Sequence, residues 1–373
     1  MKELIYRRIV VKAGTQVLTG GSSVLVADIM SSVVRQMCQL HAQGIQIILV
    51  TSGAMTAGRE VLGLENEDRD VPFRQVLAAV GQGRLMRIYE ELFSSYGVSI
   101  AQALLTRGDL NDRQGYLNVR NTLTSLLELG VVPVVNENDV VAVEEIGQDV
   151  FGDNDKLSAM VSNLVDADLL IILSDIAGLY TADPHIDTKA HLISRVEKVD
   201  ASIEALAGKY HNPRSKGGMG TKLEAAKATT AFGIPVIIAH GQEPDIVVRL
   251  AQGEVGGTFF AATSSKLESR KRWMLSGLSN RGEIWVDLGA GQALISHNRS
   301  LLAAGITDVR GDFRRGDIVY ILDRDGQRLA CGISNYGSTD IEYIKGTRST
   351  GINALLGYQY GAEVVHRNNM VML

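Results

Sequence analysis

Cysteine is nearly absent from this chain. Its two thiols, Cys38 and Cys331, stand far apart in 373 residues, which excludes a disulfide framework and fits reduced thiols. Long apolar runs are missing too. The run Leu169 to Leu173 falls far short of the ~18 residues that would cross a bilayer. Positive charge is not in excess: 37 Lys and Arg against 42 Asp and Glu give a formal charge of -5 and a pI near 5.9. Nucleic acids and membrane surfaces reward a positive field, so a general affinity for either is not expected. The first eight residues, Met1 to Arg8, carry charges where a signal peptide needs an apolar stretch. A soluble, cytoplasmic protein is the expectation. Prolines number only six, no repeat or low-complexity tract interrupts the chain, and 45% hydrophobic residues are ordinary for globular domains.

The chain alternates short apolar runs with amphipathic stretches. Strands are predicted at 9–11, 45–50, 98–105, 131–135, 168–173 and 235–239, and helices at 25–43, 73–95, 112–129, 155–165 and 220–232. Strands apolar throughout, separated by helices, imply an α/β fold with a largely parallel sheet sandwiched between helices. Beyond Phe259-Phe260 a charged connector, Lys266 to Arg272, leads into short strands at 282–287, 317–322 and 364–366. The turn Asp323-Arg324-Asp325-Gly326 predicts a hairpin. The expected division is a catalytic domain at 1–262 and a smaller, mainly β domain at 277–373.

Ligands of open parallel sheets bind beyond the carboxyl ends of the strands. The loops there are rich in small and polar residues: Lys12 to Gly21, Thr51-Ser52-Gly53-Ala54, Asn136-Glu137-Asn138-Asp139, Phe151 to Lys156, and Ser174 to Tyr180. Two glycine-rich segments, around Lys12-Ala13-Gly14 and Lys216-Gly217-Gly218-Met219-Gly220-Thr221-Lys222, each set a lysine beside small-residue backbone. Glycine lets main-chain N–H groups approach an anion, and a nearby ammonium neutralises charge moved in phosphoryl transfer. Taken singly, the loops have plainer readings. Ser52 could be a helix cap, and Asp153-Asn154-Asp155 an N-cap cluster. The loop from Asn136 to Asp139 lacks the 12-residue ligand spacing of an EF-hand. Their joint occurrence on one sheet edge favours a site.

Val10-Val11-Lys12-Ala13-Gly14-Thr15, Leu49 to Ala54, Val135 to Asp139, Gly152 to Asp155, Ser174-Asp175 to Asp183-Pro184 and Gly217 to Lys222 resemble the glutamate 5-kinase family of the amino-acid kinase superfamily. Arg270-Lys271-Arg272-Trp273, Gly316-Asp317 and Leu355 to Tyr358 are similar to that family's C-terminal PUA domain. The resemblance implies ATP-dependent phosphorylation of the γ-carboxylate of L-glutamate to γ-glutamyl phosphate, the first step toward proline, with Mg²⁺ bridging the ATP phosphates. By the family's pattern Lys12 and Lys222 flank the transferring phosphoryl group and Asp155 holds the lysines. Ser52, Asp139, Asn154, Asn136 and Asp153 form the glutamate shell. Lys12, Ser174, Asp175, Lys216, Gly217, Gly218, Met219, Gly220, Thr221 and Lys222 contact ATP, and no metal ligand is assigned on the protein. A homo-oligomer, a proline feedback inhibitor and association with γ-glutamyl phosphate reductase also follow from the resemblance. No motif contains a histidine, as expected for an acceptor carboxylate already ionised at neutral pH.

The sequence departs from the family at Gln16, where serine is common, and at Ser215-Lys216, where Gly-Thr is common; the stretch between Asp139 and Asp153 is a few residues longer. Carbamate, aspartate and acetylglutamate kinases share the fold and phosphate loops. Asp139 discriminates among them, because a free substrate amino group wants a carboxylate there. RNA binding is the contrasting reading for a PUA-like tail. Residues 277–373, however, hold ten Lys and Arg and ten Asp and Glu, without the positive surface that counterion release needs.

Overall fold

The computed structural model describes residues 5–64, 70–142, 154–184, 186–207, 218–269, 274 and 282–373. Asp153, Lys216, Gly217 and residues 270–272 of the charged connector lie outside them. The chain divides into two compact units, Met1–Leu110 with Arg120–Ser265, and Asn111–Val119 with Lys266–Leu373.

The first unit is built on strands β1 (Arg8–Ala13), β2 (Gln46–Thr51), β3 (Ile100–Leu105), β4 (Val132–Glu137), β5 (Leu169–Ser174), β6 (Arg195–Val196), β7 (Val236–His240) and β8 (Thr258–Phe260). Between them run helices α1 (Thr15–Thr19), α2 (Ala27–His41), α3 (Ala54–Leu62), α4 (Val71–Ser94), α5 (Arg107–Asn111), α6 (Arg113–Glu128), α7 (Asn154–Leu164), α8 (Ala201–Ala207), α9 (Met219–Ala231) and α10 (Ile246–Ala251). The strands form one sheet in the order β3-β4-β2-β1-β5-β7-β8-β6. Pairing is parallel except between β7 and β8. Strand β1 is central because Ile9, Val10 and Val11 are fully buried, with one parallel neighbour on either side. Apolar side chains on both faces leave a strand no stable place at an edge.

The register aligns the carboxyl ends. Ala13 pairs with Thr51 of β2 and with Leu173 of β5, so Lys12, Ser52 and Ser174 emerge at the same edge. Helix α4 is capped by Asp70, whose side chain accepts from the Phe73 N–H at 3.1 Å, with a proline in the first turn. It crosses α3 at glycine contacts. A Cβ on Gly81 would lie 1.9 Å from the Ala54 carbonyl oxygen, and one on Gly58 would lie 2.0 Å from the Leu77 oxygen. These two glycines let the helix backbones touch, which fixes α4 beside the loop that follows β2.

In the second unit, β9 (Glu283–Val286), β11 (Ile306–Arg310), β12 (Ile318–Leu322), β13 (Arg328–Ile333) and β15 (Met370–Met372) form a sheet ordered β11-β9-β12-β13-β15. Strands β10 (Leu301–Leu302) and β14 (Glu363–Val365) pair separately. The turn at Asp323–Gly326 joins the antiparallel β12 and β13, with Gly326 at φ 82°, where a side chain would be strained. Within this unit Leu117, fully buried, clusters with Ile318, Cys331, Ile333 and Val371. Arg310, Arg328 and Arg315 lie over the rings of Trp285, Tyr320 and Tyr360.

Candidate active site

Strand β1 delivers Lys12 and helix α9 delivers Lys222 to one carboxylate, Asp155, in the first turn of α7. Lys12 Nζ lies 2.6 Å from Asp155 Oδ1, and Lys222 Nζ lies 3.2 Å from Oδ2. The Thr221 hydroxyl also donates to Oδ2, at 3.0 Å. All three charged side chains are nearly removed from water, with Asp155 fully buried. Burial makes the pairing obligatory, because an isolated charge in such surroundings would be strongly disfavoured. The chain makes room for it locally. A Cβ on Gly14 would meet Lys12 Nζ at 2.9 Å, so the glycine after β1 leaves the space that the lysine head occupies.

Asn154, next to Asp155, ties this cluster to a second one. Its Nδ2 donates to the Thr51 carbonyl, to Ser52 Oγ at 2.9 Å and to Asn136 Oδ1 at 2.8 Å. Ser52, read as a possible cap, does not cap α3. Gly53 holds that position at φ 107°, with no side-chain cap bond. The Ser52 hydroxyl is directed instead to Asn154. Asp139 lies three residues past Asn136, in the loop that follows β4, and burial raises its carboxyl from the usual range to about 6. Desolvation penalises the ionised form, and a bound cation would reverse that shift.

The ATP shell expected from the sequence is placed in two parts. Gly218, Met219, Gly220 and Thr221 begin α9, whose first turn contains no acidic residue, and added Cβ atoms on Gly218 and Gly220 would meet nothing within 4 Å. A helix N-terminus with open glycines on it is suited to an anion. Ser174 ends β5, two residues past the partner of Lys12, and donates to Asp175 Oδ1 at 3.1 Å. Asp175 itself is exposed. Gln16, the departure noted in the first loop, is an exposed residue of α1.

Sequence reading missed a polar stripe on α4. Gln75, Gln82 and Tyr89 are spaced seven residues apart, two helical turns each, and all three meet the carboxyl edge of the sheet. Gln75 Nε2 donates to the Asp139 and Val140 carbonyls at 3.2 and 3.1 Å. Gln82 Oε1 accepts from Asn136 Nδ2 at 2.9 Å. The Tyr89 hydroxyl meets Thr51 Oγ1 at 2.7 Å, and burial raises the phenol further above its ordinary value than that bond lowers it. The seven-residue spacing was the available signal, although a solvent-facing stripe has the same spacing.

Residues 7–240 match the amino acid kinase family, and residues 282–356 match the PUA domain. A protein named glutamate 5-kinase from Dehalococcoides mccartyi strain CBDB1 is 52% identical over all of both chains. Another so named, from Herpetosiphon aurantiacus, is 52% identical over 98% of each, and one from Geobacter sp. strain M21 is 46% identical over the full length of both. Among solved structures, a UMP kinase from Bacillus anthracis has a TM-score of 0.48 at 13% identity, covering 69% of this chain and 97% of that one. The chain belongs to the amino acid kinase family, in its glutamate 5-kinase group with a PUA domain.

Proposed function

We propose that the protein transfers the γ-phosphoryl group of ATP to the side-chain carboxylate of L-glutamate, giving γ-glutamyl phosphate and ADP. The observation that carries this reading is the Lys12–Asp155–Lys222 cluster: two buried ammonium groups, from opposite elements, share one carboxylate at the sheet edge. One cation on each side of a transferring phosphoryl group would neutralise the charge on its equatorial oxygens throughout the reaction.

The chemistry asks little else of the protein. A γ-carboxylate oxygen attacks the γ-phosphorus, the bond to the β-γ bridging oxygen breaks, and ADP departs with that electron pair. A carboxylate with pKa about 4.3 is already a nucleophile at neutral pH, so no general base is required. Asp155 is a positioning residue that keeps both ammonium groups in place. The names of the relatives, and Asp139 as a partner for a free α-ammonium, support glutamate as the acceptor. Ser52, Asn136 and Asn154, joined by hydrogen bonds, would hold the rest of the substrate. Asp153, Lys216 and Gly217 stay with the proposal through the family resemblance.

Mg²⁺ would enter on the ATP phosphates and supply further charge neutralisation. No group of three or more acidic, His or Cys residues able to hold a metal occurs among the described residues, and both oxygens of Asp155 face lysines. A cation that keeps its waters and rides on phosphate oxygens fits that donor set.

The test is ATP turnover with L-glutamate, L-aspartate, N-acetylglutamate and carbamate as alternative acceptors, with hydroxylamine trapping the acyl phosphate. Hydroxamate from L-glutamate is the expected product. Preference for any of the others would refute the acceptor assignment.

A further inference from the structure

Gln82 carries a donor that the described structure does not use. Its Oε1 accepts from Asn136, but its Nε2 is shut off from solvent and meets no hydrogen-bond partner among the described residues. The orientation of the amide follows from its neighbours. Asn154 Nδ2 donates to Asn136 Oδ1, which leaves Asn136 Nδ2 to donate onward and Gln82 to present its oxygen. Buried amide N–H groups rarely go unmet, so an unmet one beside a site marks a place for a ligand atom.

Its position suggests which atom. From the lysine pair the contacts run through Asp155 to the adjoining Asn154, then to Asn136, and end at Gln82. A substrate whose reacting carboxylate lies at the lysines presents its other end toward the far end of that relay. There, Asn136 near the end of strand β4 and Asp139 in the loop after it are three residues apart, and α4 holds both, through Gln82 and Gln75. An α-amino acid head carries an ammonium and a carboxylate on a single carbon. Asp139 suits the first, and a neutral amide donor suits the second.

On the proposed function above, we infer that Gln82 is a substrate-specificity residue whose Nε2 donates to the α-carboxylate of the acceptor amino acid. The glycine contacts of Gly81 with α3 hold it rigidly beside the loop after β2, so the donor is set in place before substrate arrives. The same side chain therefore orients Asn136 and reads the substrate head.

The test compares L-glutamate with 4-aminobutyrate, which keeps the amine and the reacting carboxylate but lacks the α-carboxylate. Gln82→Glu retains an oxygen for Asn136 and replaces only the donor, with a negative charge at pH 8. It is expected to raise KM for L-glutamate about 10- to 100-fold while KM for ATP stays within about twofold. The affinity for 4-aminobutyrate, read as KM or as inhibition of glutamate turnover, should be unchanged. Gln82→Ala also deletes the oxygen that orients Asn136, so it should weaken both acceptors, L-glutamate by clearly the larger factor, and it serves if the glutamate variant does not fold. An unchanged KM for L-glutamate in a folded variant, or equal losses for both acceptors, overturns this inference alone. Wild-type enzyme with no glutamate turnover overturns the functional reading and this inference with it.

Discussion

Replacing Asp155 by Asn removes one negative charge and almost no volume from between two buried ammonium groups. At an effective dielectric constant of about 20, the Lys12 and Lys222 contacts of 2.6 and 3.2 Å correspond to gross attractions of about 6 and 5 kcal/mol. Desolvation already offsets much of that, and removing one partner of a buried pair typically costs about 3–5 kcal/mol net. The variant should therefore melt at clearly lower temperature, and kcat should fall about 10³-fold or more, because neither lysine is held where charge develops. Thermal melting with and without ATP, beside steady-state turnover, separates the two effects. An added phosphate group replaces the missing anion, so ATP should stabilise the variant by a larger margin than it stabilises the wild type. A variant with wild-type melting temperature and kcat would refute the idea that Asp155 organises the pair.

Lys222→Ala should lower kcat by about 10² to 10⁴-fold with ATP binding largely retained, and near wild-type turnover would make Lys222 a bystander. Because burial lifts Asp139 to about 6, its carboxylate is neutralised as pH falls through 6, so kcat/KM for glutamate should drop about tenfold per unit below that point. Asp139→Asn should raise KM for glutamate far more than KM for ATP and abolish the inflection; an inflection that survives would place it on another group. A chain ended after Ser265 keeps every proposed site residue and should retain glutamate-dependent turnover, although it leaves Leu117 without Ile318, Cys331, Ile333 and Val371 and should be less soluble. Turnover below about a hundredth of full length in a folded, monodisperse sample would bring the second unit into the catalytic machinery.

The parts of this molecule legible in the sequence are those where local chemistry leaves few choices. Ile9-Val10-Val11 reads as a buried strand, but a lysine at its end reads as a group leaving the sheet for water, whereas Lys12 stays buried because Asp155 pairs with it. Ser52, Asn136 and Asn154 could be grouped because each ends or follows a strand or opens a helix at the same edge. Long-range pairing was harder to see. Nothing local in Leu117 says that its neighbours lie two hundred residues away, and the three-residue strand β8 gives no indication that it runs antiparallel to β7. Helix α3 is hinted at only by Ser52 as a possible cap and has no bounds in the sequence reading, because Ala54 to Leu62 is short and its starting residue, Gly53, lacks a capping side chain. Gln82 was invisible for a different reason. Its role depends on one amide meeting another across two elements, and a glutamine on a helix face looks the same whether it meets water or Asn136.

The most direct test of the central claim follows an oxygen atom. L-glutamate labelled with ¹⁸O at both γ-carboxylate oxygens is turned over with unlabelled ATP, hydroxylamine cleaves the product at its carbonyl carbon, and the phosphate released is weighed by mass spectrometry. Direct transfer to the carboxylate predicts phosphate carrying one ¹⁸O, with the other label retained in the hydroxamate. Phosphate without label would mean that water, and not the glutamate carboxylate, receives the phosphoryl group, and would contradict the account.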